Sequence, residues 1–197
     1  MGSLISGIFF TFFPAAITAV VLGHIARGEV RRSGGRLQGS GMALAGLILG
    51  YIGLAVLPIL IIAAIAIPNL LRSRIAANEA SAVGALRTIH TACFEYRSRY
   101  NGYPASLASL GPSPYKTPGR EGADMIDAAL AAGAKSGYTF RLEAHDDDAD
   151  GYADRYQLWA DPVTPGTTGQ RHFFTDETGV IRARRDAPAD AGSYPLE

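Results

Sequence analysis

The sequence predicts an α+β protein with two N-terminal transmembrane helices, the second continuous with a long helix that packs on a small antiparallel sheet. Residues 4–23 and 41–68 contain no Asp, Glu, Lys, Arg or His, and about 20 apolar residues suffice to cross a bilayer. Beyond residue 68 apolar side chains recur at helical spacing, and beyond residue 137 they alternate with polar ones. These patterns predict a long amphipathic helix that continues the second span, followed by strands.

Charge divides the chain into two halves. Residues 1–100 carry nine basic and three acidic side chains, a net charge of +6, whereas residues 101–197 carry nine basic and fifteen acidic ones, a net charge of −6. Because a nucleic-acid-binding surface needs clustered Lys and Arg, the acidic second half does not predict nucleic acid as a partner. A single cysteine, Cys93, excludes an intrachain disulfide.

The charges around the apolar segments predict an orientation in the membrane. The first six residues contain no Lys or Arg, so the first segment is interpreted as a retained helix and not as a signal peptide. Residues 24–40 contain four arginines against Glu29 alone, which places this loop in the cytoplasm by the positive-inside rule. The second span then runs outward, and we expect the C-terminal domain in the periplasm or outside the cell.

Small residues on the second span predict close helix packing. Gly46 and Gly50 form a GxxxG pair, and Gly53 follows on the same side. Such a motif allows two helix backbones to approach. The partner is either a second copy of the chain or the first span.

Past the membrane, an apolar stripe predicts one amphipathic helix that ends near Tyr100. Asn101, Gly102 and Pro104 provide the stop signal. The predicted domains are therefore residues 1–40, 41–100, 101–185 and a loose tail over 186–197. The stripe consists of Leu71, Ile75, Ala82, Leu86, Ile89, Cys93 and Tyr96.

Four segments resemble type IV pilins and pseudopilins over residues 46–184. They are AIAIPNLLRSRIAANEASAV at 64–83, LRTI at 86–89, GYP at 102–104 and FTDETGVIR at 174–182. The resemblance implies a bacterial inner-membrane protein whose spine helix packs against other pilin-like subunits or against pilus or secretion assembly proteins. Residues 1–50, through IARG at 25–28 and AGLILG at 45–50, resemble a small bacterial membrane domain of uncharacterised function.

The resemblance also implies a processing site, from which this chain departs. Pilins are cut after a glycine and carry a glutamate at the fifth mature position. The alignment puts the cut between Gly46 and Leu47 and puts Tyr51 where the glutamate belongs. We therefore expect an uncleaved, two-span anchored protein, and the alternative is a processed filament subunit.

Residues 101–185 predict a small mixed domain. A short helix is expected over 124–133, with Met125, Ile126 and Leu130 buried and Gly133 as its stop. Alternation predicts strands around 138–142 and 156–158, followed by strands at 172–175 and 180–182 with a turn at 175–179. Together they predict a sheet of three or four antiparallel strands.

An acidic loop offers one candidate ligand site. Asp146, Asp148, Asp150, Tyr152 and Asp154 occupy positions one, three, five, seven and nine of a loop like that of an EF-hand, with Gly151 at position six. Oxygen ligands at alternate positions suit Ca²⁺, and the sequence indicates no other cofactor. Gln157 stands where a bidentate glutamate belongs, and a solvated hairpin loop is the alternative interpretation.

No pattern predicts an enzyme. The histidines are scattered, and HExxH, GxSxG, P-loop and CxxC patterns are missing from the sequence. His90 and Cys93 are three residues apart on one helix, yet Cys93 is more simply a core residue. Trp159 suits a core better than a recognition surface, and Arg182, Arg184 and Arg185 suit a solvated face. The sequence thus predicts a structural or interaction protein, with a calcium- or ligand-binding sensor as the alternative.

Overall fold

A computed structural model describes residues 2–34, 36, 39–115 and 117–196, with the backbone alone for residues 2–14, 40 and 57. Four helices and six strands form two compact units, Met1–Asn69 and Leu70–Glu197. The helices are α1 (Gly2–Arg32), α2 (Ser40–Tyr100), α3 (Leu107–Leu110) and α4 (Ala128–Ala131). The strands are β1 (Ala134–Lys135), β2 (Tyr138–His145), β3 (Arg155–Pro162), β4 (Arg171–Asp176), β5 (Arg182–Arg185) and β6 (Tyr194–Pro195).

In the first unit, α1 and α2 contact each other through glycines. A Cβ atom on Gly50 would lie 2.7 Å from Cγ2 of Val20, and one on Gly23 would lie 3.3 Å from Cβ of Leu47. A side chain at either position would therefore push the helices apart. A Cβ on Gly53 would lie 3.5 Å from Cβ of Ala16, an ordinary van der Waals contact, and a Cβ on Gly46 would meet nothing within 4 Å. Of the two predicted partners for this motif, the structure places the first helix against Gly50 and Gly53.

One helix among the described residues is long and apolar enough to cross a membrane, and it is the Gly41–Tyr100 part of α2. Only 6% of its most apolar 18-residue window is buried, unlike the core helix of a soluble protein. The helix continues through Pro58 and Pro68. The other predicted span falls in α1, but the side chains of its residues 4–14 lie outside the described part of the chain.

The second unit is a six-stranded antiparallel meander in the order β1 to β6. Register pairs Phe140 with Ala160 and Leu142 with Leu158. Because side chains alternate along a strand, one face carries the apolar set that packs on α2. That set consists of Tyr138, Phe140, Leu142, Tyr156, Leu158, Ala160 and Phe173, all buried.

The helix contributes five of the seven residues of the predicted stripe to this core. Ala82, Leu86, Ile89, Cys93 and Tyr96 are at most 3% exposed, and complete burial of one Leu or Ile contributes about 1.5–3 kcal/mol. Ile75 is also buried. Leu71, by contrast, is 40% exposed, so its assignment to the packed face is wrong. The hydrogen bond from Asn78 Nδ2 to Thr168 O, two helical turns later, joins α2 to the β3–β4 loop.

Three local predictions differ from the structure. The sheet has six strands because β1 and β6, each two residues long, add to its edges. The last predicted strand, at 180–182, lies instead at Arg182–Arg185. The helix expected over 124–133 is a single turn, since Asp127 caps it at Leu130 N and Gly133 ends it at φ +77°.

The predicted loose tail is folded onto the sheet. β6 pairs with β5, and Leu196 N donates to Ile181 O at 2.8 Å. Ala189 and Ser193 are buried, and Asp190 accepts hydrogen bonds from Gly192 N and Ser193 Oγ. Its composition, rich in Pro, Ala, Asp and Gly, does not reveal these contacts.

Candidate functional site

The acidic loop between β2 and β3 brings three of its predicted ligands together. One carboxylate oxygen from each of Asp146, Asp148 and Asp154 lies within 4.8 Å of the other two, and all three side chains are exposed. Hard oxygen donors at this separation can converge on a calcium ion. Asp150 is not part of this group, so the structure unites three of the four predicted aspartates.

Main-chain hydrogen bonds give the loop its shape. Asp146 Oδ2 accepts from Gly151 N at 2.9 Å, Asp148 Oδ1 from Asp150 N at 3.2 Å, and Asp150 Oδ1 from Tyr152 N at 2.8 Å. Gly151 has φ +87°, a conformation that favours glycine. The carboxylates therefore fold the loop themselves, which is equally consistent with a solvated hairpin.

Like charges crowd around Asp148. The hydrogen bond from the Asp150 amide lowers the pKa of Asp148, but desolvation and the charges of Asp150, Asp154 and Asp146 together raise it above its usual value. A cation would relieve this repulsion. The neighbouring Asp147 differs, because its hydrogen bond with Arg155 lowers its pKa.

The side chains at positions twelve and seven of the loop, Gln157 and Tyr152, have neighbours outside the carboxylate group. Gln157 lies within β3, in register with Glu143 and Asp176. The guanidinium of Arg120 lies 4.6 Å from the ring centroid of Tyr152, so this tyrosine side chain packs on an arginine. No carboxylate stands at the twelfth position to complete a bidentate contact.

Beside the loop is an open cavity of about 440 Å³. Tyr96, Tyr103, Arg120, Glu121 and Asp146 are among its lining residues. The hydroxyl of Tyr96 donates to the carbonyl of Arg120 at 2.7 Å, which holds the Arg120 main chain against α2. Residues of α2 and of the acidic loop therefore line the same cavity.

His90 and Cys93 do not form a reactive pair. His90 Nδ1 lies 2.5 Å from the hydroxyl of Tyr156, and Gly179 packs against the imidazole ring. Burial lowers the pKa of His90, despite the raising effects of a hydrogen bond to the Asp176 backbone and of the Asp176 charge. Burial raises the pKa of the Cys93 thiol to about 12, which leaves it protonated. Cys93 is a core residue, and His90 ties α2 to β3.

Trp159 lies on the face of the sheet opposite α2. The guanidinium of Arg141 lies 4.1 Å from its ring centroid, and Phe174 meets it edge-on at 5.5 Å. Trp159 is half-buried there, so it is neither in the main core nor a free platform.

The arginines of β5 have separate environments. Arg182 donates from Nη1 to Ser193 O at 3.2 Å, and Arg184 lies 3.5 Å from Asp190. Arg185 is exposed. Two of the three thus hold the C-terminal segment on the sheet.

Glu79 is a polar contact that sequence reasoning missed. Its Oε2 accepts from Arg171 Nε at 2.8 Å, and its Oε1 accepts from the main-chain amides of Gln170 and Arg171 at 2.9 and 3.2 Å. The side chain is only 8% exposed. Glu79 lies four residues after Ile75 and seven before Leu86, so helical spacing puts its carboxylate on the buried stripe. A buried charge requires a partner, and this position was therefore the sequence signal for the contact.

Comparisons with known proteins assign a family to the N-terminal part alone. Residues 1–66 match the family described as Domain of unknown function (DUF4190). The match covers α1 and the first part of α2, and the description carries no activity. No curated protein and no solved structure matches the chain.

Proposed function

We propose that this chain is a membrane-anchored, type IV pilin-like structural or interaction protein without catalytic activity. In this proposal α1 and the apolar part of α2 cross a bacterial inner membrane, and the α+β unit stands in the periplasm or outside the cell. The chain then offers neighbouring proteins a surface and needs no reactive group.

One observation carries the proposal. α2 is a single helix of 61 residues, apolar and unburied over a membrane-length window, and its later turns form the core with an antiparallel sheet. A helix that belongs only to a soluble domain has no need of such a window. The exposed aliphatic side chains of residues 59–67 support lipid contact, since they are 42–66% exposed where they are Ile or Leu.

The resemblance to pilins suggests the partners. We expect lateral contacts with other pilin-like subunits or with pilus or secretion assembly proteins. The exposed side of α2 supports this, because a Cβ on Gly84 would meet nothing within 4 Å, and in the described part of the chain the Thr88 and Thr91 hydroxyls donate only to carbonyls of their own helix. Small residues allow close approach of another helix.

Packing within the first unit favours the anchored form over the processed filament subunit. A cut between Gly46 and Leu47 would detach α1, although Val20 lies against Gly50 and Gly23 against Leu47. Tyr51 also stands where the resemblance expects a glutamate. The uncleaved chain keeps these contacts.

Intact-mass and N-terminal analysis of the native protein tests the anchored form. We expect an uncut chain that still contains residues 1–46 in the membrane pellet after alkaline carbonate extraction. A new N-terminus at Leu47 would establish the processed subunit instead. Release of the whole chain into the carbonate supernatant would contradict membrane anchorage in either form.

A calcium-binding module is a second candidate, favoured by one observation. The carboxylates of Asp146, Asp148 and Asp154 converge while Asp148 carries a raised pKa. Bound calcium would stiffen the loop beside the cavity. The change in Tm on addition of calcium tests this candidate separately.

A further inference from the structure

The start of the α+β unit has an exposed patch with both apolar and basic side chains. Leu70 and Leu71 are 55% and 40% exposed, and Arg72 and Arg74 are exposed beside them. Among the described residues, neither arginine side chain has a hydrogen bond, ion pair or ring contact. The first buried residue, Ile75, follows at once.

Neighbouring parts of the domain do not neutralise this patch. The nearest acidic residue along α2 is Glu79, whose carboxylate is already occupied by Arg171 and two main-chain amides. Asn78 donates from Nδ2 to Thr168 O at 2.9 Å. That bond fixes the β3–β4 loop one helical turn, about 6 Å, beyond Arg74. The arginines therefore lie just outside the part of the helix that the sheet covers.

The position of these arginines also conflicts with the positive-inside rule. In the proposed orientation the two arginines lie on the outer side of the membrane, just after the second span. Lys and Arg are depleted on that side. Two exposed arginines within six residues of Pro68 are thus available to a counter-charge at the outer surface of the bilayer. Phosphate groups accept arginine hydrogen bonds in bidentate geometry, and exposed leucines suit the adjacent acyl boundary.

We propose that Arg72 and Arg74 bind the headgroups of anionic phospholipids, with Leu70 and Leu71 inserted at the boundary of the acyl chains. This contact rests on the proposed membrane anchorage. It would fix the depth of the α+β unit at the membrane. Each arginine favours an anionic over a zwitterionic surface by about fivefold.

Site-directed quenching in liposomes tests the contact with the full chain. A bimane fluorophore is attached at Ser73→Cys, between the two arginines, while Cys93 is fully buried and remains unlabelled. Phosphatidylglycerol or phosphatidylcholine with a nitroxide headgroup is then diluted into phosphatidylcholine liposomes. We expect at least about fivefold preferential quenching by phosphatidylglycerol, weaker at 0.5 M salt and unchanged by millimolar inorganic phosphate.

Matched variants make the outcome decisive. Arg72→Gln with Arg74→Gln removes the preference, whereas Arg87→Gln with Arg99→Gln, on the same helix further from Leu70, leaves it intact. Trp159 fluorescence verifies that both variants are folded. Equal quenching by the two lipids, or a preference that survives the first pair of substitutions, overturns the inference while leaving membrane anchorage in place. Quenching by neither lipid also overturns the inference, and alkaline carbonate extraction of the same sample then decides whether membrane anchorage stands.

Discussion

Arg171 of β4 donates from Nε to the buried carboxylate of Glu79 on α2 at 2.8 Å, across 92 residues of sequence. Its own main-chain amide and that of Gln170 also point at this carboxylate. The interaction fastens the β3–β4 loop and the start of β4 to the helix. Burial of this carboxylate is compensated by its three hydrogen-bond donors, and loss of either side of the interaction leaves buried polar groups unsatisfied.

Glu79→Ala tests this connection, because it leaves the two amides and the Arg171 side chain without their acceptor. We expect the free energy of unfolding of the α+β unit to fall by about 2–4 kcal/mol. Trp159, the only tryptophan, allows urea unfolding of the full chain in detergent to be followed by fluorescence. Glu95→Ala, on an exposed part of α2, is the control and should change stability by less than about 0.5 kcal/mol. Equal effects of the two variants would contradict the assignment.

Replacement of the buried Thr175 hydroxyl should stabilise the protein. Its side chain is 1% exposed, and its hydroxyl has no hydrogen-bond partner in the described chain. Thr175→Val replaces that hydroxyl with a methyl group of similar size and should raise the free energy of unfolding by about 1 kcal/mol. Thr175→Ser keeps the hydroxyl, removes the methyl group and should lower stability by about 1 kcal/mol. Destabilisation by valine would show that the hydroxyl has a partner.

His90 predicts that the α+β unit loses stability in mild acid. Burial lowers its pKa from the ordinary value of 6.5, so the unfolded chain binds a proton before the folded one does. Well above pH 6.5 His90 is neutral in both states and adds no pH dependence. As the pH falls below 6.5 stability declines, and the decline stops once the lowered pKa is passed.

The measurement is urea unfolding between pH 5 and pH 7.5, again followed by Trp159 fluorescence. His90→Gln should flatten the dependence over this interval, at some cost in overall stability from the lost contact with Tyr156. His24→Gln, in the first unit, should leave the profile unchanged. A profile that keeps its slope in His90→Gln would assign the effect to other groups.

Calcium should stabilise the α+β unit if the acidic loop binds it. For a dissociation constant of about 10⁻⁴–10⁻³ M, as in extracellular modules, 10 mM calcium would add about 1.4–2.7 kcal/mol. Differential scanning calorimetry on the full chain reads this as a higher Tm. Asp148→Asn should abolish the shift, and the exposed Asp186→Asn should not. A shift that survives Asp148→Asn, or equally strong stabilisation by magnesium, would count against this site.

Much of the second unit follows from the sequence because its patterns are local. Tyr138, Phe140 and Leu142 alternate, and their buried faces are determined by the pleat alone. The stripe from Ala82 to Tyr96 follows the helical repeat equally well. The predicted turn at 175–179 forms through Asp176, which accepts from Thr178 N, and through Gly179 at φ +73°.

The structure differs from the sequence-based predictions where contacts between residues distant in sequence determine the conformation. Leu71 has the right spacing for the stripe, but the sheet does not extend to it. β6 forms because Leu196 meets Ile181, which no local pattern encodes. At the candidate site, spacing identified the aspartates, whereas the separation of Asp150 from the other three depends on the loop conformation. Glu79 was overlooked because its partner, Arg171, is distant in sequence.

Labelling of one engineered cysteine tests the central claim, that the α+β unit lies outside the cytoplasm. Ser98→Cys is exposed on α2 within that unit, whereas Cys93 is buried with a pKa of about 12 and does not react. Intact spheroplasts are treated with a membrane-impermeant maleimide, and an identical sample is treated after lysis. We predict full modification of the variant before lysis. Modification only after lysis would place the unit in the cytoplasm and contradict the claim.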